Sequence, residues 1–253
     1  MKKSVMILIS IGMLFYSHAL IADGSPLKKD RFFYEQKGDI VWEVKTHQKM
    51  VAITFDDGPD PIETTEILNE LKKYNAKCTF FVLGKKVETY PEIASRIIKE
   101  GHELANHTYN HAYFKGESGE DIVKELMKTE RVITGVSGKG SKFFRPPGGV
   151  YSDSVVNAAK QVGLKIILWS WHQDTRDWKK PGAHVIKKQV MKNLRNGDII
   201  LMHDSVSGKS QTKEALSQIL PELMKKGYRV VTVSELIKSQ EAQEIEIGNY
   251  FYP

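Results

Sequence analysis

The sequence predicts an α/β protein: a single (β/α) barrel, distorted or incomplete, with about seven parallel strands. Three observations predict it. Runs such as Val51 to Phe55, Cys78 to Leu83 and Ile199 to Met202 do not alternate apolar with polar, which marks strands covered on both faces of a parallel sheet. Between them lie stretches whose apolar residues recur at helical spacing, so strand and helix take turns along the chain. Short polar clusters follow the C-terminal ends of the strand-like runs, where parallel α/β folds place their reactive groups.

Taken in order, residues 23–49 read as an N-terminal arm with one possible strand at Ile40 to Val44. Val51 to Phe55 is the first firm strand. Residues 61–74 then form an amphipathic helix with Pro61 in its first turn and Ile62, Ile67, Leu68 and Leu71 on its apolar side. The Cys78 strand, a helix opening near Pro91 and a strand ending at His107 come next. Residues 121–136 are helical, with Ile122, Leu126, Met127 and Ile133 on one face. A helix over 152–162 leads into a strand over 165–171, and a helix near 184–194 into the strand ending at His203. A helix over 213–226, the strand Arg229 to Val233 and a short helix near 234–239 complete a domain spanning 50–240. The tail, 241–253, is acidic and then aromatic.

The first 22 residues stand apart. Lys2 and Lys3 precede an apolar stretch from Val5 to Tyr16, and small residues at Ser17, Ala19 and Ala22 offer cleavage points, the layout of a secretory signal peptide. The alternative is an uncleaved anchor, and either way the domain works outside the cytoplasm. The formal charge of +6 comes from scattered lysines, which suits a solvated surface or weak attraction to an anionic wall and gives no nucleic-acid module. One cysteine, Cys78, excludes an intramolecular disulfide, and its apolar surroundings mark it as a core thiol.

The clusters suggest a metal-dependent hydrolase. His107 and His111, four apart, come to one side if a helical turn joins them. A carboxylate from Asp56 or Asp57 would complete a two-histidine, one-aspartate set with positions left for water and substrate. The neighbouring aspartate would then face the water and take its proton. Gly148 and Gly149 present bare backbone after two prolines, and such N–H groups can hold an oxyanion. Arg145 and Asp174 at buried strand ends need partners, and tethering the catalytic carboxylate and a histidine would satisfy both. His203, next to an apolar strand, fits either a general acid for a leaving amine or a satisfied core histidine. His102 reads as structural, and His172 as lying behind the site or exposed.

Thr54-Phe55-Asp56-Asp57-Gly58-Pro59, His107-Thr108-x-x-His111, Arg145-x-Pro147-x-Gly149, Asp174-x-x-Asp177-Trp178 and Leu201-x-His203, in this order, resemble the polysaccharide deacetylases of the NodB-homology type, carbohydrate esterase family 4. The resemblance spans residues 50–238. It implies that Asp57, His107 and His111 bind one divalent metal, zinc first, with cobalt, nickel or manganese as alternatives. Asp56 would be the general base held by Arg145, and His203 the general acid tuned by Asp174. The Gly148 N–H would assist the oxyanion, and Trp178 and Leu201 would wall the acetyl pocket. The implied reaction removes N-acetyl groups from a polysaccharide, with N-acetylglucosamine or N-acetylmuramic acid in peptidoglycan as first substrate and chitin oligomers second. Membrane contact would come only through an uncleaved N-terminus. A small-amide hydrolase of the same fold and a wall-binding relic are the competing readings. Exposed aromatics along an open groove would favour a polymer. One departure stands out: the family often has an aromatic where this chain has Gly148, so that wall is missing from position 148.

Overall fold

The computed structural model describes residues 29–240, so the expected signal segment and the 241–253 tail lie outside the described residues. Every strand pairing in it is parallel. The strands are β1 (Ile40–Val41), β2 (Met50–Asp56), β3 (Thr79–Val82), β4 (Glu103–Asn106), β5 (Phe143–Phe144), β6 (Lys165–Ile167), β7 (Ile199–His203) and β8 (Arg229–Val230). They run across the sheet as β1-β6-β5-β4-β3-β2-β7, and β8 pairs only with Met50 and Val51 at the start of β2. All seven residues of β2 are buried, as a run without polar alternation requires.

The sheet curls without regular pairing between its edges, β1 and β7. Two single bridges span the gap: Glu43, just after β1, with Asp198, and Asp174, in the segment after β6, with Leu201 of β7. This is the distorted barrel the sequence suggests, and it explains why the strand expected over 165–171 stops at Ile167. Beyond that point Leu168 donates to the Val41 carbonyl, Ser170 donates to Ile199, and Gln173 accepts from Leu201. The chain is crossing from β6 to β7, and its hydrogen bonds cross with it. The arm is also part of the sheet, since β1 pairs in register with β6.

The helices are α1 (Arg31–Gln36), α2 (Glu63–Lys73), α3 (Gly84–Thr89), α4 (Pro91–Lys99), α5 (Gly119–Ser137), α6 (Asp153–Val162), α7 (Ala183–Lys192) and α8 (Thr212–Lys225), with a last helix over 233–240. Most lie within a residue or two of the sequence expectation, and α5 and α6 carry explicit signals at both ends. The Ser118 and Ser152 side chains accept from the third residue beyond them at the starts of α5 and α6. Gly138 and Gly163 end those helices in the left-handed conformation. The short α3 carries too little periodicity to read from sequence. Ile67, Leu71, Ile97, Ile186, Leu216 and Leu220 pack against β2, β3 and β7 in the largest core cluster. Because all strands point the same way, Asp56, His107, Arg145 and His203 emerge at one end of the sheet.

Candidate active site

At that end Asp56, the last residue of β2, sits beside His203 of β7 in the strand register. Every expected site residue except Arg145 lines one cavity of about 390 Å3, and Tyr113 and Trp169 complete its wall. Arg145 lies beneath it, fully buried. Its Nη1 donates to Asp56 Oδ1 at 2.6 Å and to Thr54 Oγ1 at 2.8 Å. Its Nε and Nη2 donate to the Ile167 and Leu168 carbonyls, both at 3.1 Å. A buried guanidinium so satisfied fixes one oxygen of Asp56 and pairs its charge in an otherwise costly place.

Asp57 occupies a left-handed backbone conformation (φ 78°), which turns its side chain away from its neighbour's path. Its Oδ1 is buried without a hydrogen bond and lies 3.5 Å from His107 Nε2 and 3.2 Å from His111 Nε2. Burial works against the Asp57 charge, yet the imidazoles around it outweigh that and lower its pKa to about 2. On His107, burial is likewise outweighed by the facing Asp56 and Asp57 carboxylates, which raise its pKa. The His107 Nδ1 sits 2.7 Å from the Arg145 carbonyl, a bond that places the ring proton there and turns the Nε2 lone pair toward Asp57. An orphaned carboxylate oxygen converging with two imidazole nitrogens fits a divalent cation with nitrogen and oxygen ligands.

The two histidines are not joined by a helical turn, contrary to the spacing argument. Residues 107–111 form a loop with positive φ at Thr108 and His111. Side chains hold it in place: Asn106 accepts from the Thr108 N–H, Thr108 Oγ1 accepts from Ala112, and Glu125 of α5 accepts from Tyr109 and Asn110.

Asp174 requires a correction. The partner of His203 is Asp177, which accepts from His203 Nδ1 at 2.7 Å and from the His203 N–H at 2.8 Å. Thr212 and Trp178 also donate to Asp177, which is buried. Asp174 instead pairs with Arg176, accepting its N–H at 3.0 Å, and faces the cavity rim. The reason is local: Arg176 takes a left-handed conformation (φ 51°) and starts a short 3-10 turn that swings Asp177 inward. Burial opposes charge on His203, but the bond and charge of Asp177, with Asp56 and Asp57 nearby, raise its pKa to about 9. The ring therefore carries a proton at neutral pH.

Gly148 and Gly149 form a tight turn after Pro147. Both have positive φ, and a Cβ on Gly149 would stand 2.7 Å from the Trp169 ring. Trp178 is 51% exposed, whereas Leu201 is buried in the wall. Tyr113, 49% exposed, was invisible to sequence reasoning because a single tyrosine outside the motifs carries no spacing signal.

His102 and His172 lie outside this cavity. His102 accepts from the Cys78 N–H, and burial, with Lys77 nearby, lowers its pKa to about 4, so it is a neutral core residue. His172 is buried against Asp198. Glu43, His172 and Asp198 come within metal-ligand range of one another. There, however, the Asp198 carboxylate already accepts from His172, Gln173 and the Arg195 N–H, and Glu43 is paired with Arg31.

Comparison with known proteins places this geometry. The family described as Polysaccharide deacetylase matches residues 43–167. A peptidoglycan-N-acetylglucosamine deacetylase of Bacillus cereus is 46% identical over 204 residues, covering 81% of this chain and 95% of the relative. A peptidoglycan N-acetylglucosamine deacetylase solved with a hydroxamate-type benzamide superposes with a TM-score of 0.79 at 34% identity, over 83% of this chain and 97% of that one. The peptidoglycan deacetylase PdaC of Bacillus subtilis gives 0.75 at 35% identity, over 83% and 100%. With sequence, fold and the convergent residues in agreement, the chain belongs to the polysaccharide deacetylase family.

Proposed function

We propose that the protein hydrolyses the N-acetyl amide of N-acetylglucosamine or N-acetylmuramic acid units in peptidoglycan, on the outer side of the cell membrane. One observation carries the reading: a single cavity unites a carboxylate–imidazole ligand set, an arginine-held carboxylate and an aspartate-held imidazole. Asp57, His107 and His111 would hold a divalent cation, zinc by the chemistry of its imidazole ligands. When bound, that cation supplies the positive charge that polarises the carbonyl and eases deprotonation of water.

The protein's own groups do the rest. Asp56, with one oxygen fixed by Arg145, takes the proton of the attacking water. The Gly148 backbone, in the cavity wall, is placed to donate to the oxyanion. His203, protonated and oriented by Asp177, gives its proton to the departing amine, so that acetate and a free amino sugar leave. Half-exposed Trp178 and Tyr113 at the cavity rim suit a polymer better than a small amide, and 46% identity to a peptidoglycan deacetylase, against 34% to a chitooligosaccharide deacetylase, favours peptidoglycan.

Acetate release tests the reading. Metal-stripped and zinc-restored protein would be given purified peptidoglycan and N-acetylglucosamine oligomers in parallel. Zinc-dependent release, faster from peptidoglycan, is the expected result. Release from neither, by folded and metal-loaded protein, overturns it.

A further inference from the structure

We propose that Tyr113 is a specificity-determining residue, its ring a stacking platform for a hexosamine unit of the glycan; this rests on the glycan reading above. The placement is built rather than incidental. In the same loop Tyr109 and Phe114 are 8% and 6% exposed, whereas Tyr113 between them keeps 49% of its surface open, inside the catalytic cavity. Its ring stands perpendicular to that of His111, with centroids 4.9 Å apart. A Cβ built on Gly148 would lie 3.0 Å from Tyr113 Cε1, so the ring fills the space that a side chain at position 148 would need. Gly148 itself has a left-handed backbone (φ 64°) that disfavours any such side chain. The two residues, from the loops after β4 and β5, therefore specify each other: the glycine admits the ring, and the ring lines the groove.

The chemistry follows from the geometry. One face of a pyranose presents a patch of C–H bonds, and an exposed aromatic ring offers it a flat apolar surface at low conformational cost. Lys115 Nζ lies over the Tyr113 ring, 5.9 Å from its centroid, at the outer limit of a cation–π contact. Trp178, in the same cavity, has its own lysine, Lys179, 4.9 Å from its centroid. A sugar ring meeting Tyr113 would sit beside the ligand histidine it must approach.

The test compares wild type with Tyr113→Ala and Tyr113→Phe on the N-acetylglucosamine tetramer, measuring kcat, KM and zinc content. Tyr113→Ala should raise KM roughly threefold to tenfold with kcat nearly unchanged and zinc retained, and Tyr113→Phe should behave as wild type. Calorimetric titration of metal-stripped protein with the tetramer should show the same weakening without turnover. An unchanged KM and affinity in Tyr113→Ala overturns the proposal, and so does loss of zinc, which would make Tyr113 a support for His111. If wild type releases no acetate, the catalytic reading fails, while the titration still decides whether Tyr113 meets the sugar.

Discussion

His107 and Asp56 face each other across 3.7 Å, and their substitution should separate two functions. His107→Ala removes one of three converging donors and should abolish zinc binding together with turnover; full zinc occupancy, read by elemental analysis, would rule out the ligand assignment. Asp56→Asn keeps the size and one acceptor for Arg145. It should retain zinc while slowing turnover about 10²–10⁴-fold, the range for a lost general base, and near-normal rates would remove Asp56 from that role. His203 gives a pH signature. An acid works only while protonated, so activity should fall as pH rises through the His203 pKa, raised to about 9. Asp177→Asn removes the carboxylate that raises it, so the alkaline limb of the pH–rate profile should move to lower pH, and an unmoved limb would contradict the pairing. Asp177 and Asp174 also mark where sequence stops being sufficient. Both lie in one motif three residues apart, and only the left-handed turn at Arg176, which no residue preference announces, decides which is buried against the histidine.

At the scale of elements, the loops after the strands carry more information than the strands. Arg145 ties β5 to the carbonyls at the end of β6 and to Thr54 and Asp56 on β2, so one side chain sets the spacing of three strands. Gly149 sets the following turn, and there a methyl group meets both a φ of 66° and the Trp169 ring. Gly149→Ala should cost about 1–3 kcal/mol in chemical denaturation. An unchanged midpoint would show that Trp169 can give way. The helices were legible because their apolar residues recur at helical spacing, and serine and glycine punctuate α5 and α6. The His107–His111 connection was not, because an i, i+4 spacing fits a helical turn as well as a loop, and the choice rests on distant acceptors such as Glu125.

Across the whole molecule, non-alternating strands made the parallel sheet readable, since burial on both faces leaves its mark on composition. The open edge was not, because it depends on where the chain after Ile167 changes partners. The ligand residues come from the turn after β2 and the loop after β4, while the acid and its aspartate come from β7 and the segment after β6. A cation bound only when these parts are assembled stabilises the folded state. Zinc at a hundredfold its dissociation constant should add about 2.7 kcal/mol, raising Tm by about 5–10 °C in a scan of stripped against restored protein. Coincident melting curves would show that the folded state gains nothing from the ion. Cys78 gives that comparison a second readout. As the chain's one thiol, wholly buried just before β3 and with burial raising its pKa, it is closed to alkylating reagents in the native protein. Its rate of labelling is therefore a built-in clock for opening of the sheet, and it needs no engineered probe.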